Sequence, residues 1–295
     1  MQTQANPTSE PVAFRDLNKN GRLDPYEDPS RPIDERVADL LAQMTLAEKA
    51  GLMFQTFAAS PMDHASLLSD DLRETPAGQM VTTLLMNHFN FPNFADARAA
   101  AAWQNKIQTL AEHTRLGIPV TFATDPRHAF SNNPAVSANR GSFSQWPEPI
   151  GLAATGDPAL AQAFADIARQ EYCAIGIRVA IHPMADLATE PRWARINGTF
   201  GEDAHLAAQM TQAYIRGFQG ETLGAQSVAC MTKHFPGGGP QKDGEDPHFP
   251  YGKEQIYPGD NFDYHLLPFE AAFAAGTAQI MPYYGQPIGL AYEEV

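Results

Sequence analysis

Four groups of polar side chains stand directly after short apolar runs in this 295-residue chain. Asp125, Arg127 and His128 follow 118–123, and His182 and Asp186 follow 177–181. Lys233 and His234 follow 228–232, and Tyr283 and Tyr284 follow 278–281. Carboxylates, imidazoles, an amine and phenols are what an active-site face carries, and their common phase sets them apart from four unrelated loop caps. A fifth group has a different chemistry. Asp16, Asn18, Asn20, Gly21, Arg22, Asp24 and Glu27 fit D-x-[DN]-x-[DN]-G-x5-E over all twelve positions. Oxygens of Asp16, Asn18 and Asn20, the Arg22 carbonyl, Asp24 and a bidentate Glu27 would wrap one Ca2+, with Gly21 permitting the sharp turn. Pro25 and Pro29 prevent the long exit helix of an EF-hand. The expected form is a lone calcium loop holding an N-terminal arm, residues 1–32.

The elements that must position these groups begin at residue 33. Val37, Leu40, Leu41, Met44 and Leu46 recur at helical spacing through 34–52. Thr45 and Glu48 have capping-box spacing, so a second helix starts there. The β-branched and apolar residues of 80–91 predict a strand. Helices are predicted at 96–116, 158–175, 204–218 and 265–275, with Gly117, Gly176 and Gly276 as stops. Strands are predicted at 118–123, 177–181, 228–232 and 278–281. Short buried strands alternating with helices make parallel β/α units. The simplest closed solution is an α/β fold of the (β/α)8 TIM-barrel type, whose strand carboxyl ends open onto one face. The alternative is an open, doubly wound sheet. A nucleotide-binding version of it lacks a Gly-x-Gly-x-x-Gly opening a helix, since Gly237-Gly238-Gly239 runs into prolines and charges, and there is no Walker lysine.

Composition narrows the function. Lys and Arg total 20 against 34 Asp and Glu, a net charge of −14, so a nucleic-acid backbone would be repelled. No apolar run approaches the roughly 20 residues that span a bilayer, which argues against a membrane partner. Two cysteines, Cys173 and Cys230, make no disulfide scaffold. Hydrophobic residues at 43% suffice for a core, and 24 prolines suggest a loop-rich enzyme.

The segment 178–203, RVAIHPMADLATEPRWARINGTFGED, is distinctive, as are Lys233-His234-Phe235-Pro236-Gly237-Gly238 and Ile280-Met281-Pro282-Tyr283-Tyr284. With FSQWPEPIGLAATGDP at 143–158 and MTLAEKAGLM at 44–53, they resemble the N-terminal domain of family 3 glycoside hydrolases, from about residue 11 onward. The resemblance implies a retaining, exo-acting β-glucosidase that removes terminal β-linked glucose from glucosides or oligosaccharides, with no cofactor for catalysis. It implies that Asp125 accepts hydrogen bonds from hydroxyls of the terminal sugar, that Arg195, Lys233 and His234 donate to them, and that Tyr284 lies near the nucleophile. Trp193 is expected in the core. Ala194, Gly198 and Gly285 depart from the family pattern, which bears on fine sugar specificity.

A retaining glycosidase needs two carboxyl groups about 5–5.5 Å apart. The family's nucleophile is an Asp in a Val-Ser-Asp-Trp-like context, and no such segment occurs here. The expectation is therefore a partial barrel, 33–295, incomplete at its C-terminal end. Its missing partners are the later segments of the same enzyme, and alone it is hydrolytically inert. Two alternatives stay open. Asp246 and His248, on the loop after Lys233-His234, are spaced like the acid/base pair of the family's β-N-acetylglucosaminidases, which implies that chemistry. The chain could also be a non-catalytic carbohydrate-binding barrel. Location is periplasmic or secreted if a signal has been removed, and otherwise cytoplasmic.

Overall fold

Short apolar strands alternating with helices fold as a parallel sheet that the helices cover. In the computed structural model, which describes residues 14–58, 69, 71–94, 96–131 and 142–290, that is what they form. The main sheet contains β1 (Gln55–Phe57), β2 (His88–Asn90), β3 (Thr121–Thr124), β4 (Ile177–Ala180), β5 (Ala229–Phe235) and β7 (Gln279–Pro282), in the order β1-β2-β3-β4-β5-β7. From β2 to β7 every pairing is parallel; His88 lies opposite Thr121, Val179 opposite Ala229, and Thr232 opposite Ile280. The strand order follows the chain without a reversal. A doubly wound sheet requires a reversal, so this is the winding of a (β/α) barrel, here an incomplete one. A two-stranded ribbon, β6 (Glu254–Gln255) with β8 (Gln286–Pro287), stands apart.

Contacts divide the chain into two units. The first comprises Met1–Gln55, Ser69–Asn87 and Lys106–Val120, and the second Thr56–Leu68, His88–Asn105 and Thr121–Val295. In the first, α1 (Ile33–Gln43) and α2 (Leu46–Gly51) are separated at Met44. The Thr45 hydroxyl accepts from Glu48 N (3.2 Å) and the Glu48 carboxylate from Thr45 N (2.8 Å), which closes the capping box. Glu48 also pairs with Arg115. The strand expected over 80–91 is corrected: 76–82 is a helix, α3 (Pro76–Thr82), and only β2 is extended. Thr75 caps α3 by accepting from Gly78 N, and Pro76 occupies its first turn, where a missing N–H costs nothing. Those terminal signals override the strand propensity of Val81 and Thr82.

In the second unit, α6 (Pro158–Ala174) and α7 (Ala204–Gln219) pack closely, after the short α5 (Pro149–Ala153). Asp157 and Asp203 cap them, each accepting two backbone N–H groups. Gly217 permits the approach, because a Cβ there would lie 2.4 Å from that of Ala165. Phe164, Tyr172, Tyr214 and Phe218 fill the space beneath, around a buried His182 that bonds Tyr214 Oη (2.7 Å) and Tyr172 Oη (3.3 Å). Helices α4 (Ala97–Glu112) and α8 (Phe262–Ala274) follow β2 and precede β7.

Candidate active site

The site grows from the carboxyl ends of β3, β4 and β5. Asp125 follows β3 directly, with its carboxylate 39% exposed. Strand β5 does not stop at Thr232 but continues through Lys233, His234 and Phe235. Lys233 is thereby buried, and its Nζ lies 2.7 Å from Asp125 Oδ1. Burial pushes the Lys233 ammonium down from its ordinary range, and Asp125 offsets part of that. After β4 the chain runs beside β5: Lys233 N donates to Pro183 O (3.0 Å) and Ala185 N to Lys233 O (2.7 Å). This register places Asp186 against His234.

Asp186 is fully buried. It accepts from His234 N (3.2 Å) and Gly238 N, and His234 Nδ1 lies 2.9 Å from its Oδ2. Burial alone would raise its carboxyl, but His234 and the Gly238 N–H outweigh it and hold the group below its usual value. Burial pushes the His234 imidazole down to about 4, only partly opposed by Asp186. Gly238 is required by closeness, since a Cβ there would lie 2.8 Å from the Tyr283 ring and 3.1 Å from Asp186 Oδ1.

Arg195 lies in the same place. Its Nη2 is 3.9 Å from Met184 Sδ, its Nε is buried without a hydrogen-bond partner among the described residues, and its charge acts on Asp186, Lys233, His234 and Asp246. Asp125, Arg195, Lys233 and His234 are thus brought together. The two tyrosines divide. Tyr283 packs 5.3 Å from the His234 ring and against Trp193 and Met184, whereas Tyr284 is 58% exposed and lies 4.9 Å from the His248 ring. Trp193 is buried. Asp246 and His248 do pair, Oδ1 to Nδ1 at 2.6 Å, both half-exposed. Asp186 is the residue that sequence reasoning left without a role. A lone carboxylate inside the run 177–189, otherwise apolar around it, was the signal, because a buried charge must find partners.

In the N-terminal loop, Asp24 Oδ2 meets the Asn18 and Asn20 amides at 2.5 Å each. Asp16 accepts from Asn20 N (3.0 Å) and Gly21 N (2.8 Å), and Asn20 Oδ1 from Arg22 N (2.8 Å). Glu27 turns inward and accepts from Leu17 N, Asn18 N and Asp24 N. Among the described residues no group of three or more His, Cys, Asp or Glu side chains is arranged to hold a metal ion. The groups that meet here are two amides and one carboxylate.

A parallel sheet wound as a barrel, with acid, amine, imidazole and guanidinium groups gathered at its strand ends, has the arrangement of a (β/α)-barrel active-site face. The sequence over residues 33–286 matches the glycosyl hydrolase family 3 N-terminal domain, and the chain belongs to that family. It is 52% identical over 287 residues to a probable β-glucosidase C of Aspergillus oryzae, covering 97% of this chain and 45% of that one. It is 48% identical over 278 residues to a periplasmic β-glucosidase/β-xylosidase of Dickeya chrysanthemi, covering 92% and 42%. Its fold matches a β-glucosidase structure from Erythrobacter marinus with a TM-score of 0.70 at 26% identity, covering 90% of this chain and 33% of that one. The chain therefore spans less than half the length of these relatives. No helix among the described residues is long and apolar enough to cross a membrane.

Proposed function

We propose that these residues form the sugar-holding part of a retaining exo-β-glucosidase acting on β-glucosides or oligosaccharides. The observation that carries this is the Lys233–Asp125 pair at 2.7 Å, one member buried and the other open to solvent, beside His234 and Arg195. Such a set offers hydroxyl groups a carboxylate acceptor and two cationic donors in one place. The whole enzyme would use a nucleophile and an acid/base carboxyl by double displacement, with sugar binding converted into rate only where contacts tighten in the transition state. The test is aryl β-glucoside hydrolysis by the whole enzyme carrying these residues. Lys233→Ala should abolish most of the activity. An enzyme that ignores glucosides but binds them, or whose Lys233→Ala variant is fully active, would overturn the reading.

A second reading has its own observation. The Asp246–His248 hydrogen bond of 2.6 Å supports an acid/base pair of the kind N-acetylglucosaminidases of this family use, with His248 protonating the leaving oxygen and Asp246 orienting it. Cleavage of aryl N-acetylglucosaminides in preference to glucosides would favour it. A non-catalytic carbohydrate-binding role is the outcome if neither substrate is cleaved by the whole protein.

For the N-terminal loop we propose a structural Ca2+. The twelve-position pattern and the meeting of Asn18, Asn20 and Asp24 support it, with the amide oxygens turned to the cation. An extracytoplasmic location goes with both proposals.

A further inference from the structure

We propose that Asp186 is a positioning residue of the sugar pocket: it holds His234 with its proton on Nδ1, so that Nε2 meets the ligand as a hydrogen-bond acceptor. This rests on the sugar-binding reading above and assigns a role to a residue that reading does not use.

Two backbone N–H groups and one ring nitrogen converge on one fully buried carboxylate: His234 N at 3.2 Å, Gly238 N, and His234 Nδ1 at 2.9 Å. An ionised carboxylate only accepts, so the ring nitrogen facing it must carry the hydrogen. The His234 ring and the Gly238 N–H together outweigh burial and keep that carboxylate ionised. The buried imidazole, with its pKa pushed down to about 4, holds a single proton near neutral pH, and Nε2 is then a bare lone pair. No described residue hydrogen-bonds to Nε2. The Tyr283 ring packs against the imidazole, with centroids 5.3 Å apart and planes tilted by 54°.

The consequence is a pattern. Lys233 and Arg195 only donate; Asp125 and His234 Nε2 only accept. A hydroxyl does both, so alternating donors and acceptors can hold adjacent hydroxyls in one orientation. On this proposal His234 accepts from the sugar, where the resemblance implied that it donates. Asp186→Asn should break the arrangement, because its oxygen still accepts the two backbone N–H groups and its N–H2 is then left facing His234 Nδ1–H. The least costly escape is for the imidazole to move its proton to Nε2 and accept from the amide at Nδ1.

The test is 15N NMR of the histidine-labelled 295-residue chain, with His234 assigned by its loss in His234→Gln, and with D-glucose as the probe. The expected result is a pyrrole-type Nδ1 and a pyridine-type Nε2 for His234, reversed in Asp186→Asn, with D-glucose bound roughly ten-fold more weakly by that variant. A merely structural role would lower stability without moving the proton. A wild-type His234 with its proton on Nε2 overturns the proposal, and this measurement does not depend on the folding of Asp186→Asn. If the proton sits on Nδ1 but D-glucose perturbs no pocket resonance in the wild type, the tautomer control by Asp186 stands and the sugar-pocket reading is what fails.

Discussion

Lys233 and Asp125 are joined at 2.7 Å across 108 residues of sequence, and the pair is asymmetric: the ammonium side is 3% exposed and the carboxylate side 39%. A buried charge without its partner is far more costly than an exposed one. Asp125→Ala should therefore destabilise the chain by about 3 kcal/mol, because it strands the ammonium. Lys233→Met should cost less than about 1.5 kcal/mol, since it fills the space and leaves Asp125 to water. Urea unfolding of both variants checks the order, and equal losses would contradict the asymmetry.

Acid should weaken this fold early, starting near pH 6.5. Burial lowers His234 and His265 to about 4 and His182 well below its ordinary 6.5. Between those values the unfolded chain binds protons that the folded chain refuses, so stability falls as pH falls through this window. The lowered Glu171 and Asp186 carboxyls extend the loss below about pH 4.5. Urea midpoints measured from pH 7 to 4 should decline steadily. His265→Gln, which removes a buried ring with an unpartnered Nδ1, should flatten the slope.

Gly238→Ala tests closeness rather than charge. Its Cβ would enter between Tyr283 and Asp186, so the expected cost is about 1–3 kcal/mol together with weaker D-glucose binding. Calorimetry alongside glucose titration separates the two effects, and a variant of wild-type stability would show that Tyr283 can yield.

Calcium should raise the melting temperature of the metal-stripped chain, because an ion bound only by the folded state stabilises it. Asp24→Ala should remove the shift. No change at millimolar Ca2+ in stripped protein would leave the loop a hydrogen-bonded turn.

The 295-residue chain alone should bind glucose without cleaving aryl β-glucosides. It carries no Asp in a Val-Ser-Asp-Trp-like context to attack the anomeric carbon, and Asp125 and Asp186 are held by Lys233 and His234. Turnover above a Lys233→Ala control would show that a carboxylate of this chain, Asp246 first, does the chemistry.

The local rules written in the sequence were enough for the β/α alternation, the Thr45–Glu48 capping box and the polar clusters after the strands. Periodicity, caps and glycine stops act over a few residues and need no distant partner. The same reasoning missed α3, where a cap and a proline outweighed a strand-like composition. Tertiary structure decided the rest. Which acid meets Lys233, whether Tyr283 or Tyr284 faces His234, and that Asp186 sits beneath the pocket all depend on the register of β5 against its neighbours and on the path of 183–186 beside it. Register is set by the packing of the whole sheet, and a one-residue slip would turn every one of these side chains to the other face.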